Sequence, residues 1–200
     1  MYGSNRSMNY LAHIYLSGKN RQIQIGNFVG DAVKGKAYNS YPDFFRKGIL
    51  LHRLIDSFAD THPAVKEAVS LGKPLFGRYS AAVTDIFFDH FLALGFPQYT
   101  GQKLTPYARR FYIALIVNYR YLPPRFQHFI WHFILTNRLG RYASRQGIKQ
   151  SLDIMTQYRK ITINPPEAIV FLDKHFHKLQ SLFETFFPEV QDMCRRQLNL

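Results

Sequence analysis

The stretch Leu51-His52-Arg53-Leu54-Ile55-Asp56-Ser57-Phe58-Ala59-Asp60 sets three polar side chains at four-residue steps beside an apolar stripe of Leu51, Leu54, Ile55 and Phe58. At about 100° and 1.5 Å per residue, His52, Asp56 and Asp60 climb one side of a helix in steps of about 6 Å. A second stretch, Ala81-Ala82-Val83-Thr84-Asp85-Ile86-Phe87-Phe88-Asp89-His90-Phe91-Leu92-Ala93-Leu94, places Asp85 and Asp89 in the same relation. Their neighbours Ala82, Phe88, Leu92 and Ala93 leave them no broad polar face to share. Like charges at this spacing repel by about 0.2–0.5 kcal/mol. Carboxylates on an apolar helix must be paired, protonated or bound to a cation. The economical reading is a metal site between packed helices. Oxygen-rich sets with one or two imidazoles suit Mg²⁺ or Mn²⁺ and accept Fe²⁺ or Zn²⁺. The bland alternatives are an ordinary polar flank for His52, Asp56 and Asp60, and neutralisation of Asp85 and Asp89 by Arg53, Arg78 or a backbone cap.

Outward from these stretches the chain is punctuated as helices. Tyr41-Pro42-Asp43 opens the first of them and His62-Pro63 closes it. Pro63 starts a short helix, residues 72–77 read as a loop, and Gly95 and Pro97 end the helix of Asp85 and Asp89. Thr105-Pro106 begins another helix, Pro123-Pro124 breaks it, and residues 126–139, 147–160 and the stretch after Asn164-Pro165-Pro166 supply the rest. No segment alternates with period two between hairpin turns. The expectation is an all-α, single-domain bundle of seven or eight helices over residues 8–200, behind a disordered lead of residues 1–7.

Composition agrees. Apolar residues make up 46% of 200, with 18 Phe and 13 Tyr to fill a core. One cysteine, Cys194, rules out an internal disulfide and suits a reducing compartment, so a cytoplasmic location is expected. No apolar run is long enough to span a bilayer, so no membrane insertion is expected. The net charge of +13 favours nucleic acid, anionic lipid or an acidic protein, without choosing among them.

Other candidates are weaker alone. His13 follows an apolar run and reads as a hydrogen-bonded core residue. Asp31, between Gly30 and Ala32, could cap the following helix or be a ligand where glycine admits a close neighbour. Lys34 lies three residues on, within reach of an anionic oxygen. His128 and His132 flank Trp131 without a carboxylate between them and read as packing. No phosphate-binding glycine loop, Gly-x-Ser-x-Gly elbow or paired Cys-x-x-Cys is present.

Taken together, Met8-Asn9-Tyr10-Leu11-Ala12-His13, Gly26-Asn27-Phe28-Val29-Gly30-Asp31, the run Gly48 through Asp60, and Asp85-Ile86-Phe87-Phe88-Asp89-His90-Phe91-Leu92 resemble the acyl carrier protein phosphodiesterase family. Pro123-Pro124-Arg125-Phe126 and residues 172–188 are similar too. The resemblance implies an HD-like helical fold and a Mn²⁺-dependent phosphodiesterase that removes the 4′-phosphopantetheine arm from holo-acyl carrier protein. Its pattern falls on His13, Asn27, Asp31, His52, Arg53, Asp56, Asp60, Asp89 and His90. Asp89-His90 stands in the reverse order to the usual His-Asp doublet of HD enzymes.

On motif position and electrostatics together, Asp31, His52, Asp56 and Asp89 are expected to form the metal centre. His13, Asp60, Asp85 and His90 are expected to assist catalysis, and Asn27, Lys34 and Arg53 to bind substrate. Acyl carrier protein is acidic, so a basic surface would hold it. Candidate contacts are Lys34, Lys36, Arg46, Lys47, Arg53, Arg138, Arg141 and Arg145. The rival readings are an HD-type nucleotide or nucleic-acid phosphohydrolase and a non-catalytic basic helical binding module.

Overall fold

The structure, a computed structural model, describes residues 10–159 and 162–199. The expected lead, residues 1–7, lies outside them, as do Met8 and Asn9. The chain is all-α, and no strand occurs among the described residues. The α-helices are α1 (Tyr10–Leu16), α2 (Arg21–Phe28), α3 (Asp43–Thr61), α4 (Pro63–Phe76), α5 (Ser80–Leu94) and α6 (Phe96–Thr100). They continue as α7 (Leu104–Val117), α8 (Pro124–Leu135), α9 (Arg138–Arg141), α10 (Arg145–Arg159), α11 (Pro165–Lys174) and α12 (Phe176–Leu198).

These segments outnumber the expected seven or eight because turns divide longer runs. Asn137, at φ 45°, separates α8 from α9 where a single helix was expected. His175 separates α11 from α12. In the other direction, α4 runs through Pro74, where a loop was expected. Caps explain several starts. Asn20 accepts hydrogen bonds from the amides of Gln22 and Ile23 at the head of α2, and the His62 ring accepts from the Ala64 amide at the head of α4.

The α2–α3 crossing positions the site. A Cβ on Gly48 would lie 2.1 Å from the Ile23 carbonyl oxygen, and one on Gly26 would lie 2.1 Å from that of Phe45. Only glycine lets the two backbones meet this closely. The crossing turns Phe45, Ile49, His52 and Ile55 inward. Leu54, expected on the core stripe, is instead 36% exposed, and His52 takes the buried face.

Around this pair the core is largely aromatic. Phe28 of α2 touches Tyr10, Phe111, Phe126 and Phe133. A second group, Phe88 with Phe183 and Phe186, joins α5 to α12. Tyr15 of α1 stacks on Phe187 of the same long helix. Thus α1, α3, α4 and α5 are gathered along α12, with α2 covering α3.

Candidate metal centre

Five side chains from the first 56 residues converge at the α1–α2–α3 junction. His13 comes from α1, Asn27 from α2, Asp31 from the 3₁₀ turn Gly30–Ala32, and His52 and Asp56 from α3. The imidazoles of His13 and His52 lie nearly face to face, with ring centres 4.3 Å apart. Gly30 makes room for this, since a Cβ there would meet Cγ of His52 at 2.4 Å.

The hydrogen-bond chain fixes which ring nitrogens carry hydrogen. The Ser17 hydroxyl donates to the His13 carbonyl at 2.8 Å, so its oxygen is left to accept. Nδ2 of Asn27 donates to it at 2.8 Å. That turns Oδ1 of Asn27 toward both imidazoles, 2.7 Å from Nδ1 of His13 and 3.1 Å from Nδ1 of His52. An amide oxygen only accepts, so each Nδ1 carries the hydrogen. In the neutral rings each Nε2 then bears a lone pair.

Those lone pairs face carboxylates. Nε2 of His13 lies 3.3 Å from Oδ1 of Asp56. Nε2 of His52 lies 3.2 Å from Oδ1 of Asp31 and 3.4 Å from Oδ2 of Asp56. Acceptors therefore converge on acceptors, and only positive charge can hold them there: a proton on each Nε2, or a cation among them. One ligand atom each from His13, His52 and Asp56 lies within 4.8 Å of the others, close to the span a single divalent ion bridges. Burial works against charge on His13, but hydrogen bonding and attraction from Asp56, the Asn27 amide and Asp89 outweigh it and raise its pKa. The imidazoles are buried, while the Asp31 and Asp56 side chains are about a quarter exposed, so the centre opens to solvent on its carboxylate side.

Other expected residues border this centre. Arg53 donates to the carbonyls of Val33 and Gly35, both at 2.8 Å, and lies over the Tyr38 ring. It fastens the loop after Asp31, on which Lys34 and Lys36 are exposed. Asp85 shares a small cavity with Asp56, walled by Ala12, Phe88, Phe183 and Phe186.

Three expected site residues lie elsewhere. Asp89, expected in the metal set, directs its two oxygens to the amides of Leu11 and Ala12, each at 2.9 Å. It caps α1 from a neighbouring helix and so holds the segment that carries His13. Burial raises its carboxyl, to about 8, against the lowering pull of those two amides and of His13. His90, expected beside it in catalysis, faces away because adjacent helical residues diverge by about 100°. Its Nδ1 donates to the Tyr142 carbonyl at 2.6 Å, and Arg145 donates to its Nε2. Asp60 is exposed and lines a separate cleft with Lys66, Lys73 and Arg78. Asp56 and Asp60 share a helix side, but the junction with α1 and α2 meets only the upper turn.

Two corrections concern the basic surface. Arg138 is fully buried and hydrogen-bonds Tyr142, so it cannot greet a partner. Arg145 is tied to Asp173 at 2.6 Å as well as to His90. Ser17 was not foreseen; its one sequence signal is its place four residues after His13, just past the end of α1.

A family model described as acyl carrier protein phosphodiesterase matches residues 8–190. A protein of that name from Yersinia pestis is 30% identical over 191 residues, covering 95% of this chain and 99% of the relative. Namesakes from Pectobacterium atrosepticum and an Escherichia coli strain are 29% and 28% identical, again over 95% of this chain and 99% of theirs. No solved structure matches the chain.

Proposed function

The chain belongs to the acyl carrier protein phosphodiesterase family, and from that premise we propose that it hydrolyses the phosphodiester joining the 4′-phosphopantetheine arm to holo-acyl carrier protein, with the help of a divalent cation, Mn²⁺ by preference. The observation that carries the cation is the meeting of two Nε2 lone pairs with the Asp31 and Asp56 carboxylates. His13, His52, Asp31 and Asp56 would hold it. A divalent cation in such a site draws charge from phosphate oxygens and makes water more acidic.

The remaining roles belong to the chain's own groups. Asn27 keeps both imidazoles with Nε2 toward the centre, whatever occupies it. Asp89 holds α1, and hence His13, in register with α3. Arg53 secures the loop that follows Asp31, so its charge acts on loop geometry before it acts on substrate. Lys34 and Lys36, exposed on that loop, meet the anionic surface of the carrier. Asp85, beside Asp56, orients water or takes a proton at the edge of the centre.

The test is incubation with holo-acyl carrier protein, with apo-carrier and free 4′-phosphopantetheine resolved by mass. His13→Ala, His52→Ala and Asp56→Ala each abolish release while helical content stays nearly native. Chelation stops the reaction and Mn²⁺ restores it. Full activity with no residual metal would sink the cation. Hydrolysis of nucleotide phosphodiesters with no action on the carrier would sink the substrate.

A further inference from the structure

The outward faces of α7 and α8 carry an unusual combination. On α7, Ile113, Ile116 and Val117 form one stripe and are 62%, 46% and 74% exposed. On α8, Trp131 and Leu135 are four residues apart and are 46% and 83% exposed. Tyr119, in the connection, lies against Trp131 with ring centres 6.1 Å apart and joins the two stripes. A lone exposed leucine needs no explanation, but a continuous apolar surface marks a place that something covers.

The charge around it narrows the occupant. Arg109 and Arg110 stand one turn before Ile113 on the same helix face, and Arg120 and Arg125 lie in and just after the connection, all four exposed. No acidic residue occurs anywhere between Asp89 and Asp153. A second copy of the chain would bring like charges together at this face. An acidic protein answers the charge but needs a groove for its own apolar groups, and here the apolar groups project instead. Aliphatic side chains beside Trp and Tyr, bordered by arginine, are the mixture found at the boundary of water and lipid.

We propose that the α7–α8 face adsorbs to an anionic lipid surface, with Val117, Trp131 and Leu135 entering the headgroup layer and the arginines meeting lipid phosphates. No described helix is long and apolar enough to cross a membrane, so the association is peripheral. It stands independently of the proposed hydrolysis.

Trp131 is the only tryptophan, which makes the surface its own probe. The full-length protein is titrated at low salt with vesicles of phosphatidylglycerol and phosphatidylcholine in equal parts, and with vesicles of phosphatidylcholine alone. With the anionic vesicles only, Trp131 emission shifts to the blue, its quenching by acrylamide falls, and the protein co-sediments. Val117→Glu with Leu135→Glu lowers partitioning by about tenfold or more at unchanged helical content. Arg109→Glu with Arg110→Glu removes the preference for anionic lipid. An unshifted emission overturns the proposal, and so does partitioning that survives the two glutamates. A third outcome also overturns it: vesicles are ignored, while the glutamates weaken binding of acyl carrier protein or dissociate a dimer seen by sedimentation.

Discussion

At the scale of single residues, the centre turns on an asparagine rather than on a charge. Asn27 is wholly buried, and its oxygen serves two imidazoles at once. Replacing it by alanine leaves two buried Nδ1–H groups without that acceptor and frees both rings to rotate. Asn27→Ala should lower Mn²⁺ affinity by about 10–100-fold, measured by calorimetry, with Ser17→Ala having a smaller effect because it only orients the amide. Equal affinity in wild type and Asn27→Ala would dismiss the tautomer argument. The His52-x-x-x-Asp56 pair was legible in the sequence because a helix has one period and two residues four apart must share a side. His13, read from its own neighbours, is a core histidine for a physical reason. Nothing local distinguishes a core histidine from a ligand; the distinction arises only when α2 and α3 deliver an amide to one nitrogen and a carboxylate to the other.

At the scale of elements, geometry is set where helices touch. A Cβ at Gly48 would collide with backbone, the Ile23 oxygen at 2.1 Å and the Asn27 nitrogen at 2.7 Å, and backbone cannot rotate away. Gly48→Ala should therefore cost about 3 kcal/mol or more in chemical denaturation and also weaken metal binding, because it parts Asn27 from His52. Loss of stability with metal affinity unchanged would contradict the coupling. Asp89 makes a complementary case. Asp89→Asn exchanges one accepting oxygen for a donor that faces a backbone amide, at a cost of about 1–3 kcal/mol. Its melting temperature should fall while Mn²⁺ affinity of the folded protein stays within a few fold of wild type. The reverse pattern, metal affinity lost at full stability, would return Asp89 to the ligand set. The helices themselves were legible from proline, glycine and apolar period, and so was the shortage of partners on α5. What the period could not say is which neighbour satisfies Asp89, because that neighbour is a helix terminus 77 and 78 residues away.

At the scale of the whole molecule, His90 ties α5 to the α9–α10 segment and makes their union sensitive to acid. Burial, with the charge of Arg145, lowers its pKa to about 4 against the raising effect of the Tyr142 carbonyl. In the unfolded chain it takes up a proton near 6.5, so between these values the unfolded state binds more protons. The stability it contributes is full above pH 6.5 and is lost as the pH falls toward 4, by on the order of 3 kcal/mol. His13, whose pKa is raised, acts in the opposite sense: its contribution is full below 6.5 and declines as the pH climbs through the raised value. The Asp89 carboxyl, raised to about 8 by burial, acts in the same sense as His13, so urea midpoints at pH 7.5 and pH 5 read the balance of all three and a His90 variant isolates its share. His90→Gln should lose only the part that weakens in acid, so its midpoint at pH 5, relative to pH 7.5, should lie above the wild type's; equal slopes would remove His90 from the account. The cap that Asp89 places on α1 also has a bearing on synthesis. Every side chain of the centre precedes residue 57, so all of them are synthesised before α5. The first helix nevertheless receives the acceptors for its leading amides from α5, so a chain that ends short of Asp89 holds every side chain of the centre and still lacks the clasp that sets His13 in place.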